Sequence, residues 1–294
     1  MSLLTPLGKP QYLFRPRCAL KRFLVELHIL ELPNFVRLPW GENLEVDLAD
    51  PVGYALASQS GLFDIVTTEV VWRLTQSGDT AFDVGANIGY FTSLLAHRVG
   101  TAGKVLAFEP HPATFPFLQR NIALQGPCCG PICAYNVGLS ESDGDGTLDI
   151  LPERTNHTSY AFLTDKSSST SVNVKLLRGD RFMANRSIGL MKIDAQWHEE
   201  AVLKGFGAHL RAGTIRDIVF EEEAPFPAPS HRILLDAGYT ILWFEEHLRG
   251  PKIIAPSDKP KNLRPYDMYP SYLATLDPQR AHQRLAPAGW RSFN

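Results

Sequence analysis

The stretch AFDVGANIGYFTSLLA, Ala81–Ala96, begins as a short apolar run that stops at an acid, Asp83, and then passes through Gly85, Asn87 and Gly89 at two-residue spacing. Apolar residues at helical spacing follow. A strand ending at Asp83 and a helix beginning near Gly89 leave between them a turn with very little side chain. Glycine there supplies backbone conformations closed to other residues and clearance for a close approach, while the first amides of the next helix have no partner within it. Two readings fit the pattern: a tight strand-to-helix turn, or a turn whose main chain touches a ligand.

Working outward, apolar β-rich runs recur at Thr80–Val84, Lys104–Glu109, Ile132–Leu139, Gly189–Asp194 and Ile215–Glu221, most of them separated by helical segments. That alternation predicts an α/β, Rossmann-like fold: a mostly parallel sheet with helices on both faces and a binding site at the carboxyl ends of its strands. Gly238–Glu245 and Pro251–Pro256 read as two strands joined by a short turn, which predicts an antiparallel edge. Residues 1–75 are expected to form an N-terminal extension packed on the core. In it, Arg17–Leu30 carries Leu20, Phe23, Leu24 and Leu27 as one apolar stripe with Arg17, Lys21, Arg22 and Glu26 between them. Such a helix either covers the core or, being basic and amphipathic, rests on a membrane surface. Val36–Leu48 reads as a β-hairpin turning at Gly41-Glu42-Asn43, and Phe63–Leu74 as a helix. Residues 76–260 would then be the main domain and 261–294 a C-terminal tail.

Composition narrows the function. A formal charge of -2 with 44% hydrophobic residues over 294 positions describes one large globular domain with decorations, or at most two small ones, without the basic excess that phosphate backbones call for, so nucleic acid is not an expected partner. No apolar run approaches the roughly 20 residues of a membrane-spanning helix, and MSLLTPLGKPQYLF lacks the layout of a signal peptide. A cytoplasmic protein without an integral membrane segment is the expectation. Cys18, Cys128, Cys129 and Cys133 are too few for a disulfide framework, and the CCxxxC run lacks the paired arms of a structural zinc site, so no metal ligands are assigned. Glu141-x-Asp143-x-Asp145-Gly146 imitates the start of a calcium loop, but its twelfth position is Pro152 and a polar hairpin turn is the better reading. Glu221, Glu222 and Glu223 end a strand where a metal or a substrate amine could be met, but a solvated acidic rim is the better reading. The polar insertion Arg154–Ser171, which contains His157 and Tyr160, reads equally as a lid or binding loop beside the substrate site and as a mobile linker.

The ligand reading of the turn can be sharpened. A dinucleotide fingerprint wants glycine at positions one, three and six; counted from Gly85, the third is Asn87 and the sixth Tyr90, so a nicotinamide cofactor fits badly. An acid before the turn, small residues along it, and a second acid closing the next strand in VLAFEP suit S-adenosyl-L-methionine. Asp83 would lie near its amino-acid end, Gly85, Ala86, Asn87 and Gly89 along its path, and Glu109 under its ribose hydroxyls as a charged double acceptor.

Several blocks extend this picture in order: GLFDIVTTEVVWRL, GDTAFDVGANIGYFTSLLA, GKVLAFEPHPATFPFLQRNIAL, NVGLSESDGDGTLDI and LMKIDAQWHEEAVLKGF followed by DIVFEEE. Over about Gly61–Glu246 the chain resembles the FkbM family of class I methyltransferases. The resemblance implies S-adenosyl-L-methionine as cofactor, a seven-stranded sheet with an antiparallel last strand, and methyl transfer to a small-molecule acceptor, commonly at oxygen. It also implies that Gly138, Leu139 and Ser140 border the adenine. Where members commonly read Lys-Ile-Asp-Val-Glu-Gly-His-Glu, this chain reads Lys192-Ile193-Asp194-Ala195-Gln196-Trp197-His198-Glu199. Gln196 keeps hydrogen bonding but loses charge. If the family glycine is left-handed, Trp197 copies it at about 1–2 kcal/mol or the loop is re-routed; the ring either walls the acceptor pocket or packs into the core. Asp194 and His198 both reach the rim of the cleft, with His198 either the base for a hydroxyl or a structural histidine, and Asp194 orienting the acceptor or the donor's amino group. Two other readings compete: an NAD-dependent oxidoreductase on a related sheet, against which the glycine spacing argues, and a homologue that binds the cofactor without turnover.

Overall fold

The computed structural model describes residues 10–27, 29–150, 161–164, 171–184, 186–256 and 271–293. The N-terminal extension comprises α1 (Pro10–Phe14), α2 (Pro16–Glu26), the hairpin β1 (Phe35–Arg37) and β2 (Asn43–Glu45), α3 (Pro51–Ser58) and α4 (Ile65–Leu74). Local chemistry sets these bounds. Asp50 accepts from the Val52 amide to cap α3, and Asp64 accepts from Thr67 to cap α4. The hairpin pairs Val36 with Leu44, and both side chains are buried in one cluster with Leu38, Trp40 and Leu56.

The main chain of elements continues with β3 (Thr80–Val84), α5 (Tyr90–Val99), β4 (Lys104–Phe108), α6 (Phe115–Ala123), β5 (Ile132–Tyr135), β6 (Gly138–Ser140), β7 (Gly144–Ile150), β8 (Ala161–Thr164) and β9 (Val172–Arg178). It ends with β10 (Ile188–Ile193), α7 (Glu199–Gly205), α8 (Gly207–Arg211), β11 (Ile215–Glu221), α9 (Pro229–Asp236), β12 (Thr240–His247), β13 (Gly250–Ile254), β14 (Ser271–Thr275) and α10 (Pro278–Leu285).

Eight strands form one sheet in the order β13-β12-β14-β11-β10-β3-β4-β5, with β11, β10, β3, β4 and β5 mutually parallel. Alternate residues divide between two layers. Ala81, Val105, Leu190 and Val219 join Leu94 and Leu95 of α5 and Val70 and Val71 of α4. Phe82, Leu106, Met191 and Ile218 join Val202 and Leu203 of α7 and Leu234 of α9. Every residue of β10 is buried, as a strand covered on both faces requires. The expected doubly wound α/β fold is therefore present.

Three expectations need correction. The sheet has eight strands, not seven, because β13 pairs with β12 as the predicted edge hairpin and adds a strand beyond the family's set. The antiparallel last strand is β14, from the region assigned to a tail, and it lies between β11 and β12 with Val219 opposite Leu273 and Leu242 opposite Leu273. The residues after it are anchored too: the buried Glu69 carboxylate accepts from the Arg291 and Ser292 amides, and Arg73 donates to the carbonyls of Leu285, Pro287 and Gly289. Finally, Ile132–Leu139 is not one strand. Asn136 donates from its side-chain amide to the carbonyls of Glu109 and Pro110, at 2.8 and 3.0 Å, and the chain leaves the main sheet there. Gly138–Ser140 then starts a second, four-stranded sheet in the order β6-β9-β7-β8.

Candidate active site

Strand order reverses between β3 and β10, so the turns that leave their carboxyl ends open a crevice between them. The two turns touch. The Asp194 amide donates to the Val84 carbonyl at 3.0 Å, and Gly85, at φ +78, sits so close that a Cβ there would lie 1.9 Å from the Asp194 carbonyl oxygen. Gly89, at φ +97, caps α5 against the Leu118 side chain. The bareness of the Gly85–Gly89 turn thus serves backbone packing first. The clearance at Gly85 is taken up by Asp194.

Beyond the turn lies a cleft that is partly open to solvent. Of the residues expected at a cofactor, Gly85, Asn87, Glu109, Gly138 and Leu139 line it, and so do the expected catalytic pair Asp194 and His198. Asp83, Ala86, Gly89 and Ser140 stand behind that lining. Leu148 of β7 and Leu163 of β8 add an apolar wall from the second sheet. His157 and Tyr160 lie outside the described residues.

Glu109 is buried at the end of β4. Its two oxygens each accept one amide, from Asn87 and from His111, both at 2.8 Å. An ionised carboxylate offers about four acceptor positions, so each oxygen retains capacity for a further donor. Burial pushes this carboxyl up to about 7, against the pull of the two amides. Asp83 is fully buried; Thr92 donates to its Oδ2 at 2.5 Å, while Oδ1 has no hydrogen-bond partner among the described residues. An orphaned buried acceptor costs about 1–3 kcal/mol, more if charged.

Around these two acids the structure gathers a cluster that sequence reasoning missed. Lys192 is buried, with Nζ 3.0 Å from Asp194 Oδ2 and 4.5 Å from the centre of the Phe91 ring. Burial works to neutralise its ammonium, but Asp194 and Asp83 outweigh burial and hold its pKa above the ordinary value. Asp194 moves the opposite way: burial opposes its charge, yet Lys192 and the Gln196 amide, which donates to Oδ1 at 2.9 Å, keep its carboxyl below the usual range. Burial raises the carboxyls of Asp64, Asp83 and Glu221, and lifts Glu199 to about 7. Several acids thus face one lysine. The reading of Glu221 as a solvated rim is overturned, since it belongs to this cluster. Glu222 instead accepts from the Ala224 amide and the Ser230 hydroxyl.

His198 precedes α7, and its Nε2 lies 3.0 Å from Ser140 Oγ. Burial holds this imidazole below its ordinary pKa, so it is neutral at pH 7. His111, another buried residue of the lining that sequence reading did not single out, accepts from the Ala113 amide at 3.2 Å. Gln196 and Trp197 adopt φ +45 and +69, so the tryptophan copies the left-handed backbone that glycine would take. Its side chain is 49% exposed, which overturns packing into the core.

One group with metal-ligand chemistry lies elsewhere. Glu42, His97 and Cys129, from the hairpin turn, α5 and the loop after α6, bring ligand atoms within 4.8 Å of one another. The Glu42 carboxylate there accepts from the Gly126 amide at 2.7 Å and from the Cys129 thiol at 3.4 Å. Burial and the Glu42 charge push that thiol up to about 12. Counting cysteine spacings alone did not foresee it.

Residues 83–241, more than half of the chain, match the family described as the methyltransferase FkbM domain. Hexuronic acid methyltransferase AglP of Haloferax volcanii is 27% identical over 196 residues, covering 60% of this chain and 75% of that protein. Methyltransferase sdnD of Sordaria araneosa is 29% identical over 191 residues, covering 54% and 73%. Among solved structures, methyltransferase FkbM from Methylobacillus flagellatus aligns with a TM-score of 0.41 at 13% identity, over 67% of this chain and 43% of that one. The matched region opens at Asp83 and takes in Glu109, Asp194 and His198, and the chain belongs to the FkbM methyltransferase family.

Proposed function

We propose that the protein uses S-adenosyl-L-methionine to methylate a hydroxyl oxygen of a small polar acceptor, a sugar or similar metabolite. One observation carries the cofactor assignment: the buried Glu109 carboxylate, fixed by the Asn87 and His111 amides, lines the cleft beside the Asp83–Gly89 turn with acceptor capacity left on each oxygen. That is the geometry a vicinal diol asks for. The unpartnered Asp83 Oδ1 and the surplus of acids around Lys192 suit the ammonium and sulfonium of the same ligand.

When bound, the cofactor supplies a methyl group already made electrophilic by its positive sulfur. Glu109 would hold the ribose, Asn87 and the turn before it the amino-acid portion with Asp83 behind them, and Gly138 and Leu139 the adenine. Holding an acceptor oxygen in line supplies about 7–11 kcal/mol, which is the larger part of the catalytic task. His198, neutral at pH 7, takes the hydroxyl proton on its imidazole, a contribution of about 10²–10⁴-fold. Asp194, held ionised and fixed by Lys192 and Gln196, orients the acceptor or the donor ammonium. Trp197, with His157 and Tyr160, is assigned to the acceptor side. AglP is named for a hexuronic acid, which favours a sugar hydroxyl here.

The Gln196 amide donates to Asp194 Oδ1, so the loss of the family glutamate does not leave that oxygen without a partner. Incubation with labelled S-adenosyl-L-methionine and a panel of uronic acids, neutral sugars and phenols tests the assignment. Label in a hydroxyl-bearing acceptor is expected; tight cofactor binding with no transfer to any acceptor supports the non-catalytic homologue, and binding of NAD in its place contradicts the cofactor assignment.

A further inference from the structure

The apolar stripe of α2 faces outward. Leu20 is 58% exposed, Phe23 47% and Leu27 49%, and Leu13 of α1 and Ile29, close by in sequence, are 58% and 68% exposed. Large contiguous apolar patches on a protein surface mark interaction sites. The opposite face of the helix is what anchors it: Cys18 and Val25 are buried, Arg22 donates to the Tyr12 hydroxyl at 2.9 Å, and Arg15 donates to the Phe293 carbonyl. Turning the helix to bury Leu20 and Phe23 would extract Cys18 and Val25 and break the Arg22 bond. The expectation of a covering helix with this stripe inward is therefore reversed.

Charge indicates what the stripe meets. At about 100° per residue, Leu20, Phe23, Leu24 and Leu27 share one face, and Arg17 and Lys21 line one edge of it. Over residues 10–27 the sequence carries Arg15, Arg17, Lys21 and Arg22 against Glu26 alone, in a chain whose formal charge is -2. Arg15 and Arg22 are committed to internal hydrogen bonds, which leaves Arg17 and Lys21 at the margin of the apolar face. No helix among the described residues is long and apolar enough to cross a membrane. An apolar face with a cationic margin on a short helix is the layout of a segment that lies in the plane of a bilayer, side chains among the acyl chains and cations at the headgroups. A second copy presenting the same apolar stripe would offer Arg17 and Lys21 no acid within that stripe. Anionic headgroups neutralise them.

We propose that α1 and α2 form a docking face for the surface of an anionic lipid bilayer. The proposal is independent of the methyl-transfer reading. Its test is sedimentation of the full chain with vesicles of phosphatidylcholine alone and of equal parts phosphatidylcholine and phosphatidylglycerol. Binding to the anionic vesicles, weakened by salt, is expected, with little binding to neutral ones. L20S/F23S should lower the bound fraction at least about tenfold, since each side chain loses its apolar burial. R17Q/K21Q should abolish the preference for anionic lipid. Both variants change surface positions, so an unaltered thermal melt checks that they fold; Phe23→Trp, with a blue-shifted emission on anionic vesicles only, reads insertion without disturbing the patch. Absence of binding to either vesicle, equal binding to both, or a dimer in solution that L20S/F23S converts to monomer would overturn the proposal, the last by assigning the patch to a second copy.

Discussion

Two turns meet at the centre of the cleft, and they satisfy the same backbone demand by different means. The turn after β3 uses glycine at φ +78 and +97 with Asn87 at φ +49 between them, whereas the turn after β10 uses no glycine and places Gln196 and Trp197 at φ +45 and +69. Space explains the difference. At Gly85 a Cβ would strike the Asp194 carbonyl, so no other residue fits. At Trp197 the side chain projects outward, and the cost is conformational strain alone, about 1–2 kcal/mol. Strain of that size is tolerated at a functional site; overlap of backbone atoms is not.

The largest expected effect tests the crowded side. Gly85→Ala combines a left-handed backbone with a 1.9 Å overlap, and should destabilise the fold by about 3 kcal/mol or more in urea denaturation while abolishing cofactor binding. His198→Ala should reduce kcat by about 10²–10⁴-fold with cofactor affinity unchanged. In the parent enzyme, kcat should rise with pH through a value below the ordinary histidine range and then level off, because burial favours the neutral base.

Glu109→Gln should weaken the cofactor by about 10- to 100-fold in calorimetric titration, the worth of hydrogen bonds to a charged acceptor. Because this carboxyl titrates at about 7, affinity in the parent should fall as pH drops below 7, and that slope should vanish in the variant. The sign for stability is opposite. Glu109 and Glu199 are held at about 7 in the folded chain but ionise near their ordinary values when unfolded, so the folded state binds more protons in between and the ligand-free protein loses stability as pH rises from about 4.5 to 7. Gln196→Glu should replace a donor to Asp194 with a like charge and raise the Asp194 carboxyl, slowing turnover several-fold without unfolding the chain. The smallest effect belongs to the strained side. Trp197→Gly relieves φ +69 but adds backbone freedom, so the melt should shift by about 1 kcal/mol or less, while any role at the acceptor appears as a raised KM.

How far the sequence foretold this arrangement depends on how local each signal is. The parallel core and its switch-point turn were legible because the apolar runs, Asp83, Gly85 and Gly89 lie within a few residues of one another. The strand at Ser271–Thr275 was not, since five residues between polar segments carry too little periodicity to reveal that they lie inside a sheet. The break at Asn136 depends on its bonds to Glu109 and Pro110 carbonyls in another segment. Asp64, Lys192, Glu199 and Glu221 converge only on folding, so their shared electrostatics left no mark in any one stretch. The α2 stripe was visible as a stripe, but periodicity says which residues share a face and not which way that face looks.

Isothermal titration of the purified chain with S-adenosyl-L-methionine at pH 8 and pH 6, beside Glu109→Gln, tests the central claim most directly. Saturable binding that is tighter at pH 8 and is lost or greatly weakened in the variant is the predicted result. No heat at either pH, or equal binding by parent and variant, would contradict a cofactor held by Glu109 across the Asp83–Gly89 turn.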